Sequence, residues 1–173
     1  MSEGGVKATV AKSGCGLCSA CMVVNHLTGK TLEIEECVRL SETNGANLGS
    51  GTDMRVLGPV VAKLYGLEYS ETDDISVLVE HLKSGGEAIG RMIGEHDGQI
   101  GLFSKYRHYI TVVSFENGEI GILDPSYTEE KYGIEGRKER VRVEYPFVYC
   151  SPEDLDKETN KTVPAFYMFK KVD

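Results

Sequence analysis

The sequence predicts an α+β fold, with helices in the first half of the chain and an antiparallel sheet in the second. Up to about residue 86, apolar residues recur with a helical period, and glycines follow the ends of these runs. From residue 87 onward, runs rich in β-branched and aromatic residues alternate with turn signals. Helices followed by strands, instead of alternating with them, indicate this class. We therefore expect one domain over 1–173, with a helical half at about 1–86 and a sheet half at about 87–173.

Four helices are expected in the first half, each from its apolar spacing and its end signals. The first ends before Gly29, and Asp53 and Asp74 are suited to cap the third and the fourth. Pro59 lies inside the third apolar run, which favours a later start with the proline in the first helical turn. The expected helices cover 16–28, 33–42, 54–65 and 75–84.

Five strands are expected in the second half. Asn117-Gly118 is a strong hairpin signal between two of them, because both residue types tolerate the positive φ angles of a tight turn. Pro125 stops the return strand of this hairpin, and residues 151–158 are expected to form one helical turn. The expected strands cover 87–94, 108–115, 119–125, 140–149 and 164–172.

The composition is that of a globular domain with an acidic balance. About 40% of the residues are hydrophobic and 27% are charged, and the net charge is −8. This charge disfavours nucleic acid and anionic membrane surfaces, both of which select basic faces. No apolar run approaches the roughly 18 residues of a membrane span, and residues 1–12 lack the apolar core of a signal peptide. We expect a cytoplasmic protein, or a secreted or cell-surface one if its N-terminus has been trimmed.

Five cysteines raise the question of redox and metal chemistry. Three of them crowd into SGCGLCSACMVVNHLTG, residues 13–29, whereas Cys37 and Cys150 stand alone. An odd number with this spacing is not typical of a disulfide framework, so reduced thiols are expected.

Cys15 is the candidate nucleophile. Gly14 and Gly16 flank it at the start of the first predicted helix, which leaves the thiol open to a substrate. A thiol at a helix N-terminus lies near free backbone N–H groups and the positive end of the helix dipole, and both stabilise the thiolate. The alternative, from position alone, is a buried cysteine in a glycine turn.

His108 and Asp124 are candidate partners for such a nucleophile. His108 begins one strand of the predicted hairpin and Asp124 ends the other, so the carboxylate can hold the imidazole while the second ring nitrogen serves the thiol. A plain two-residue turn at 117–118 would place the two side chains on opposite faces, so their pairing needs a bulge or an odd-length loop. The alternative is a surface histidine and an Asp-Pro turn at a strand end.

A metal or iron–sulfur site is the competing interpretation of the cysteine cluster. On one helix, Cys15, Cys18 and Cys21 fan around the axis by about 100° per residue and do not converge on one ion. A ferredoxin-type run needs a fourth cysteine and a proline soon after, and neither follows here. His26 is a further candidate ligand, but a histidine near a helix C-terminus is explained by the dipole. We therefore expect no metal, with Cys18 and Cys21 as small core residues or as thiols packed under Cys15.

The order of these motifs resembles the papain-like cysteine peptidases of family thirty-nine. Within that family it looks most like the stand-alone relatives of the bacteriocin-processing double-glycine peptidases, over about residues 9–127. The matching blocks are SGCGLCSACMVVNHLTGK (13–30), GSGTDMRVLGPVVAKLYGLEY (49–69), LKSGGEAIGRMI (82–93) and HYITVVSFENGEIGILDPSY (108–127). The resemblance implies a papain-like fold, in which a helical half carrying Cys packs on a sheet carrying His and Asp.

The resemblance also implies a role for each candidate residue. Cys15 would be the nucleophile, His108 the general base and acid, and Asp124 the residue that orients the histidine. No cofactor and no metal are implied.

One departure from the family concerns the oxyanion. The family often has a glutamine a few residues before the cysteine, and residues 1–14 contain none. The single glutamine of the chain is Gln99, far along the sequence. The Cys15 N–H would then act with a side chain such as Thr9 or Ser13.

The expected function is a cysteine peptidase or amide hydrolase that acts on a peptide or protein substrate. A thiol acyltransferase stays open, because the same three residues can pass an acyl group to an amine. The missing glutamine favours another alternative, a catalytically impaired peptide-binding module on the same fold. A metal site built on the cysteines is the remaining one.

Overall fold

Helices dominate the first half of the chain and strands the second in a computed structural model, which describes residues 14–48, 50–160 and 162–173. The helices there are α1 (Cys15–Thr28), α2 (Ile34–Thr43), α3 (Met54–Tyr65), α4 (Ile75–Lys83), α5 (Glu129–Tyr132) and α6 (Pro152–Thr159). The strands are β1 (Leu67–Thr72), β2 (Glu87–Met92), β3 (His108–Glu116), β4 (Glu119–Leu123), β5 (Arg142–Glu144), β6 (Phe147–Cys150) and β7 (Phe166–Lys171). The predicted α+β class is confirmed.

The strands form one sheet in the order β1-β7-β2-β3-β4-β6-β5, and each neighbouring pair is antiparallel. The last strand, β7, lies between β1 and β2, so the end of the chain ties the first strand to the centre of the sheet. None of the described helices is both long and apolar enough to cross a membrane.

Apolar clusters cover both faces of this sheet. On one face, α1, α2 and α3 pack against Ile89, Tyr167 and Phe169. On the other face, α4 and α6 pack in a cluster that includes Ala88 and Met92. Successive side chains of β2 point to opposite faces, which is why one strand contributes to both clusters. The first three helices therefore form a layer on one side of the sheet only.

A β-bulge in β3 interrupts its pairing with β4. Asn117 and Gly118 have φ angles of 53° and 78°, as expected for the two-residue turn. Val113 is an extra residue in β3, because the register shifts between Val112 and Ser114. The pairs are Phe115–Ile120 and Ser114–Gly121 on the turn side, and Val112–Ile122 and Thr111–Leu123 beyond the bulge.

The bulge decides which side chains share a face of the hairpin. Continuing the shifted register places Asp124 opposite Ile110, and Ile110 lies on the same face of β3 as His108. Without the extra residue, Asp124 would lie on the other face. The sequence predicted that His108 and Asp124 could pair only with a bulge or an odd-length loop between them, and the structure has a bulge there.

The prediction for the start of α3 was wrong. The helix begins at Met54, with Pro59 in its interior, because the side chain of Asp53 accepts the N–H of Arg55 over 3.1 Å and fixes the first turn. Proline removes one helical hydrogen bond, to the carbonyl of Arg55. Both residues are exposed, so water can satisfy that carbonyl.

Three other elements differ from the prediction. Strand β1 was not expected, because its sequence, LEYSET, is a largely exposed edge strand that lacks an alternating apolar pattern. The single strand expected over 140–149 is a hairpin, since a turn at Tyr145 and Pro146 separates β5 from β6. Helix α5, which has only four residues, was also missed.

Candidate active site

Cys15 is the first residue of α1, where this helix packs on β3. The backbone N–H of Tyr109, on β3, donates to its Sγ over 3.5 Å, and the N–H of Gly16 also bonds this sulfur. The sulfur thus lies at the positive end of a helix of 14 residues. The two N–H donors and the dipole favour the thiolate.

Gly16 allows the first helical turn to pack tightly against the sheet. A Cβ at this position would lie 3.0 Å from Cδ2 of Tyr109 and 3.2 Å from Cβ of Thr52. The Tyr109 hydroxyl donates to the carbonyl of Thr52 over 2.9 Å. The start of α1, the start of β3 and the loop before α3 are therefore held together beside the thiol.

His108 begins β3 and reaches the thiol from the sheet. Its Nε2 is 2.7 Å from Oδ1 of Asp124, and because an ionised carboxylate only accepts hydrogen bonds, Nε2 carries a proton. This leaves Nδ1 as the ring nitrogen that can interact with the Cys15 thiol. Burial would lower the pKa of His108, but its hydrogen bonds to Asp124 and Cys15 outweigh burial and raise that pKa.

Asp124 follows β4 and accepts hydrogen bonds on both carboxylate oxygens. Oδ1 accepts from His108 and, over 2.8 Å, from the N–H of Ser126. Oδ2 accepts from Nζ of Lys131 over 2.7 Å and from the hydroxyl of Tyr132 over 2.5 Å. Burial opposes the charge, but His108 and Lys131 hold the pKa of Asp124 well below its usual range. Asp124 therefore stays ionised at neutral pH and fixes the orientation of the imidazole.

The thiol and the imidazole are electrostatically coupled. Burial alone would raise the pKa of Cys15. The interactions with His108 and with the N–H of Tyr109 lower this pKa by more than burial raises it, so the net pKa is below that of an ordinary thiol. A lowered thiol pKa and a raised imidazole pKa together favour a thiolate–imidazolium pair. Burial raises the pKa of the neighbouring Cys18, which therefore lacks this activation.

Two surface pockets meet at Cys15 and His108. One, of about 170 Å³, lies between the loop before α3 and Tyr109. The other, of about 430 Å³, extends past Cys18 and Ser126. A bound peptide that ran from one pocket to the other would pass directly over the thiol.

The remaining cysteines of α1 do not join Cys15 in one site. Cys18 lines the larger pocket, and the thiol of Cys37, on α2, donates to the carbonyl of Leu17, on α1, over 3.7 Å. His26 contacts the buried carboxylate of Glu87 instead of a cysteine. Within the described ranges, no group of three or more His, Cys, Asp or Glu residues is arranged to hold a metal ion.

The structure places Gln99 away from the thiol. Its carbonyl and N–H pair with the backbone of His96, and its side chain lines a separate surface depression with Asp73 and Asp156. Thr9 and Ser13, the two side chains suggested as oxyanion donors, lie outside the described residues.

Sequence reasoning missed three residues of this site. Lys131 and Tyr132, on α5, are the two donors to Oδ2 of Asp124, and Tyr109 supports the thiol. The first two follow Asp124 by seven and eight residues across a reversal of the chain, so no periodic pattern marks them. Tyr109 directly follows His108, and its strand position was a signal that it faces α1.

No protein-family model and no curated protein match the chain. Solved structures do match. The peptidase domain of Streptococcus ComA, a bi-functional ABC transporter involved in a quorum-sensing pathway, aligns with a TM-score of 0.58 at 17% identity, over 96% of this chain and 97% of that one. A Bacillus anthracis protein described as a C39-like peptidase aligns with a TM-score of 0.60 at 12% identity, over 92% of this chain and 89% of that one.

A third solved structure contains a bound peptide. It is a double-glycine-motif protease from an AMS/PCAT transporter in complex with its leader peptide, with a TM-score of 0.53 at 17% identity, over 91% of this chain and 84% of that one. Sequence identities this low support a similarity of fold alone. The chain therefore has the papain-like fold of C39-like peptidase domains.

Proposed function

We propose that the chain is a cysteine peptidase in which Cys15, His108 and Asp124 act as a catalytic triad. The observation that supports this most directly is that the His108 imidazole interacts with the Cys15 thiol and is held by the Asp124 carboxylate over 2.7 Å, at the meeting point of two pockets. The fold neighbours are peptidases, and one of them binds a leader peptide, which supports a peptide substrate.

In the first half of the proposed reaction, the Cys15 thiolate attacks a peptide carbonyl carbon and forms a tetrahedral oxyanion. The Cys15 N–H, at the helix N-terminus, is a donor for this oxyanion. As the C–N bond breaks, its electron pair goes to the leaving nitrogen, and the Nδ1 proton of His108 is transferred there. An acyl thioester and a free amine result.

In the second half, neutral His108 accepts a proton from water at Nδ1. The resulting hydroxide attacks the thioester carbonyl, the C–S bond breaks, and the thiolate–imidazolium pair is restored. Asp124 holds the Nε2–H throughout and stabilises the imidazolium each time it forms.

A non-catalytic peptide-binding module is the second candidate, and the lack of a glutamine before Cys15 is the observation that favours it. Loss of one oxyanion donor lowers the rate by about 10²–10³-fold in other hydrolases. Such a module would keep the cleft and its peptide but turn over slowly or not at all.

Alkylation of each cysteine by iodoacetamide across pH, resolved by mass spectrometry, tests the proposal. In the wild type, we expect Cys15 to react well below about pH 7, before Cys18. His108→Ala should move the Cys15 profile to higher pH, whereas His96→Ala, which removes a loop histidine that lines a separate surface depression, should not. Equal reaction of the α1 cysteines near about pH 8.5 would refute a Cys–His pair.

Turnover is then measured with a mixed peptide library, in which new N-termini are identified by mass spectrometry. Cleavage by the wild type and its loss in Cys15→Ser would support a peptidase. Selective alkylation of Cys15 without any cleavage, together with peptide binding, would assign the binding module instead.

A further inference from the structure

The smaller pocket beside Cys15 has a positive rim. Arg91, on β2, and Arg107, immediately before β3, both line it next to the thiol. Among the described residues, the rest of the lining contains no carboxylate and consists of Cys15, Leu48, Ser50, Gly51, Thr52, His108 and Tyr109. This is unusual for a chain with 27 acidic and 19 basic residues.

Neither guanidinium has a hydrogen-bond or ion-pair partner in the part of the chain that the structure describes, although the charge of Arg91 lies near the hydroxyls of Tyr109 and Tyr167. Most of the other arginines do hydrogen-bond there through their guanidinium groups, to carboxylates or to carbonyls. These are Arg39, Arg137, Arg140 and Arg142. Unpaired guanidinium groups at a concave site provide a fork of N–H donors that matches the geometry of a carboxylate.

Arg91 is also held in place by the fold. It is half-buried and lies directly across the sheet from Tyr109, the residue that donates to the Cys15 sulfur. Its backbone N–H donates to Ala165 on the other side, over 2.8 Å. Because the strand fixes the backbone of both Arg91 and Tyr109, the Arg91 side chain starts from a constant position relative to the nucleophile.

We propose that this pocket binds a carboxylate of the peptide substrate beside the bond that is cleaved. The inference rests on the proposed peptidase function and adds a specificity to it. The carboxylate belongs either to an Asp or Glu side chain or to the free C-terminus of a short peptide. A volume of about 170 Å³ suits one such group rather than a large ligand, since ligand pockets usually measure about 300–1,000 Å³.

A pair of reagents tests the pocket without any need for turnover. Iodoacetate carries a carboxylate and iodoacetamide is its neutral counterpart, and both alkylate thiolates. We expect the ratio of iodoacetate to iodoacetamide rates at Cys15 to exceed that of N-acetylcysteine amide. Arg91→Gln and Arg107→Gln should each lower this ratio several-fold, and the double variant about tenfold or more. Arg39→Gln, which removes the same charge on α2, should leave it unchanged.

The neutral reagent is the control for folding, since an intact thiolate keeps its iodoacetamide rate in each variant. A ratio that stays at the wild-type value in the double variant would overturn the inference. So would a wild-type ratio equal to that of the small thiol.

The peptide library separates the two sources of the carboxylate and the two proposals. Enrichment of Asp or Glu near the cleaved bond, lost in Arg91→Gln, assigns a side chain. Cleavage that disappears when the peptides are C-terminally amidated assigns the terminal carboxylate. A reagent ratio that responds to the arginines without any cleavage would mean that the carboxylate pocket stands and the peptidase proposal fails. Cleavage without either preference would mean that the peptidase proposal stands and the carboxylate pocket fails.

Discussion

Replacing Asp124 by asparagine tests how the carboxylate supports both the site and the fold. Asp124→Asn keeps the shape of the side chain but removes its charge. The four donors to this carboxylate come from His108, Ser126, Lys131 and Tyr132. An amide that accepts from His108 must turn its NH₂ group toward the Lys131 ammonium, where two donors face each other.

The magnitudes follow from burial. The Lys131 side chain is only 15% exposed, so its charge would lose its partner in a poorly hydrated position. We expect the free energy of unfolding to fall by about 3 kcal/mol, as for other broken buried ion pairs. Loss of the carboxylate also lowers the pKa of His108, and with it the share of thiolate at Cys15. If the chain is a peptidase, kcat/KM should fall by about 10³–10⁴-fold, as for the equivalent aspartate of a serine-peptidase triad.

Urea unfolding and the pH profile of Cys15 alkylation measure the two effects. The double variant Asp124→Asn/Lys131→Met should recover part of the stability, because the unpaired ammonium is gone, but not the alkylation of Cys15 at low pH. Asp154→Asn is the control: it removes a carboxylate that pairs with Arg140 away from the thiol and should change stability by at most about 1 kcal/mol. A wild-type alkylation profile in Asp124→Asn would refute the role of Asp124.

Acid titration gives an independent check. Because the pKa of Asp124 is lower in the folded chain than in the unfolded one, its stabilising contribution is present at neutral pH. That contribution is lost as the pH falls below about 4. Asp124→Asn should therefore lose less stability than the wild type on acidification.

Three further predictions concern other parts of the molecule. Burial raises the pKa of Glu87 to about 7, so the wild type should lose up to roughly 3 kcal/mol of stability as the pH rises from about 4.5 to 7. Glu87→Gln should not show this loss. Urea unfolding at both ends of this pH range measures it, and equal behaviour of the two proteins would contradict the prediction. Gly16→Ala should slow iodoacetamide alkylation of Cys15 about tenfold or more, because the new methyl group would push on the ring of Tyr109, the residue whose backbone N–H donates to the sulfur. An unchanged rate would show that the ring can move without disturbing this N–H. Cys18→Ser should leave the Cys15 pH profile unchanged, and a shift of that profile would show that the two thiols act together.

Much of the fold follows from local signals in the sequence. The caps at Asp53 and Asp74 and the stop at Gly29 mark helix ends that the structure shows, because a cap depends only on residues within one turn. Strand β1 cannot be predicted from such local signals. As an edge strand, it pairs only with β7, and its exposed residues, such as Glu68, need no apolar pattern.

The candidate site likewise has parts that the sequence predicts and parts that it does not. The start of a helix at Cys15 and a hairpin between His108 and Asp124 can be deduced from residue types and spacing, but the bulge at Val113 that brings the two side chains to one face cannot. The contacts of Lys131 and Tyr132 with the same carboxylate cannot, because a reversal of the chain after β4 brings them there. No short-range rule gives the direction in which such a segment returns.

The bulge at Val113 makes the hairpin sensitive to odd changes in length. Each residue inserted or deleted between His108 and Asp124 shifts the pairing by one position, and each shift exchanges the two faces of a strand. Changes of two residues restore the original facing, whereas a change of one reverses it unless the bulge is lost at the same time. Natural variation in this hairpin should therefore come in even steps, or in single steps that are matched by the gain or loss of a bulge. A sequence comparison that places one unmatched gap between these two residues would separate the imidazole from its carboxylate, even if every other position were aligned correctly.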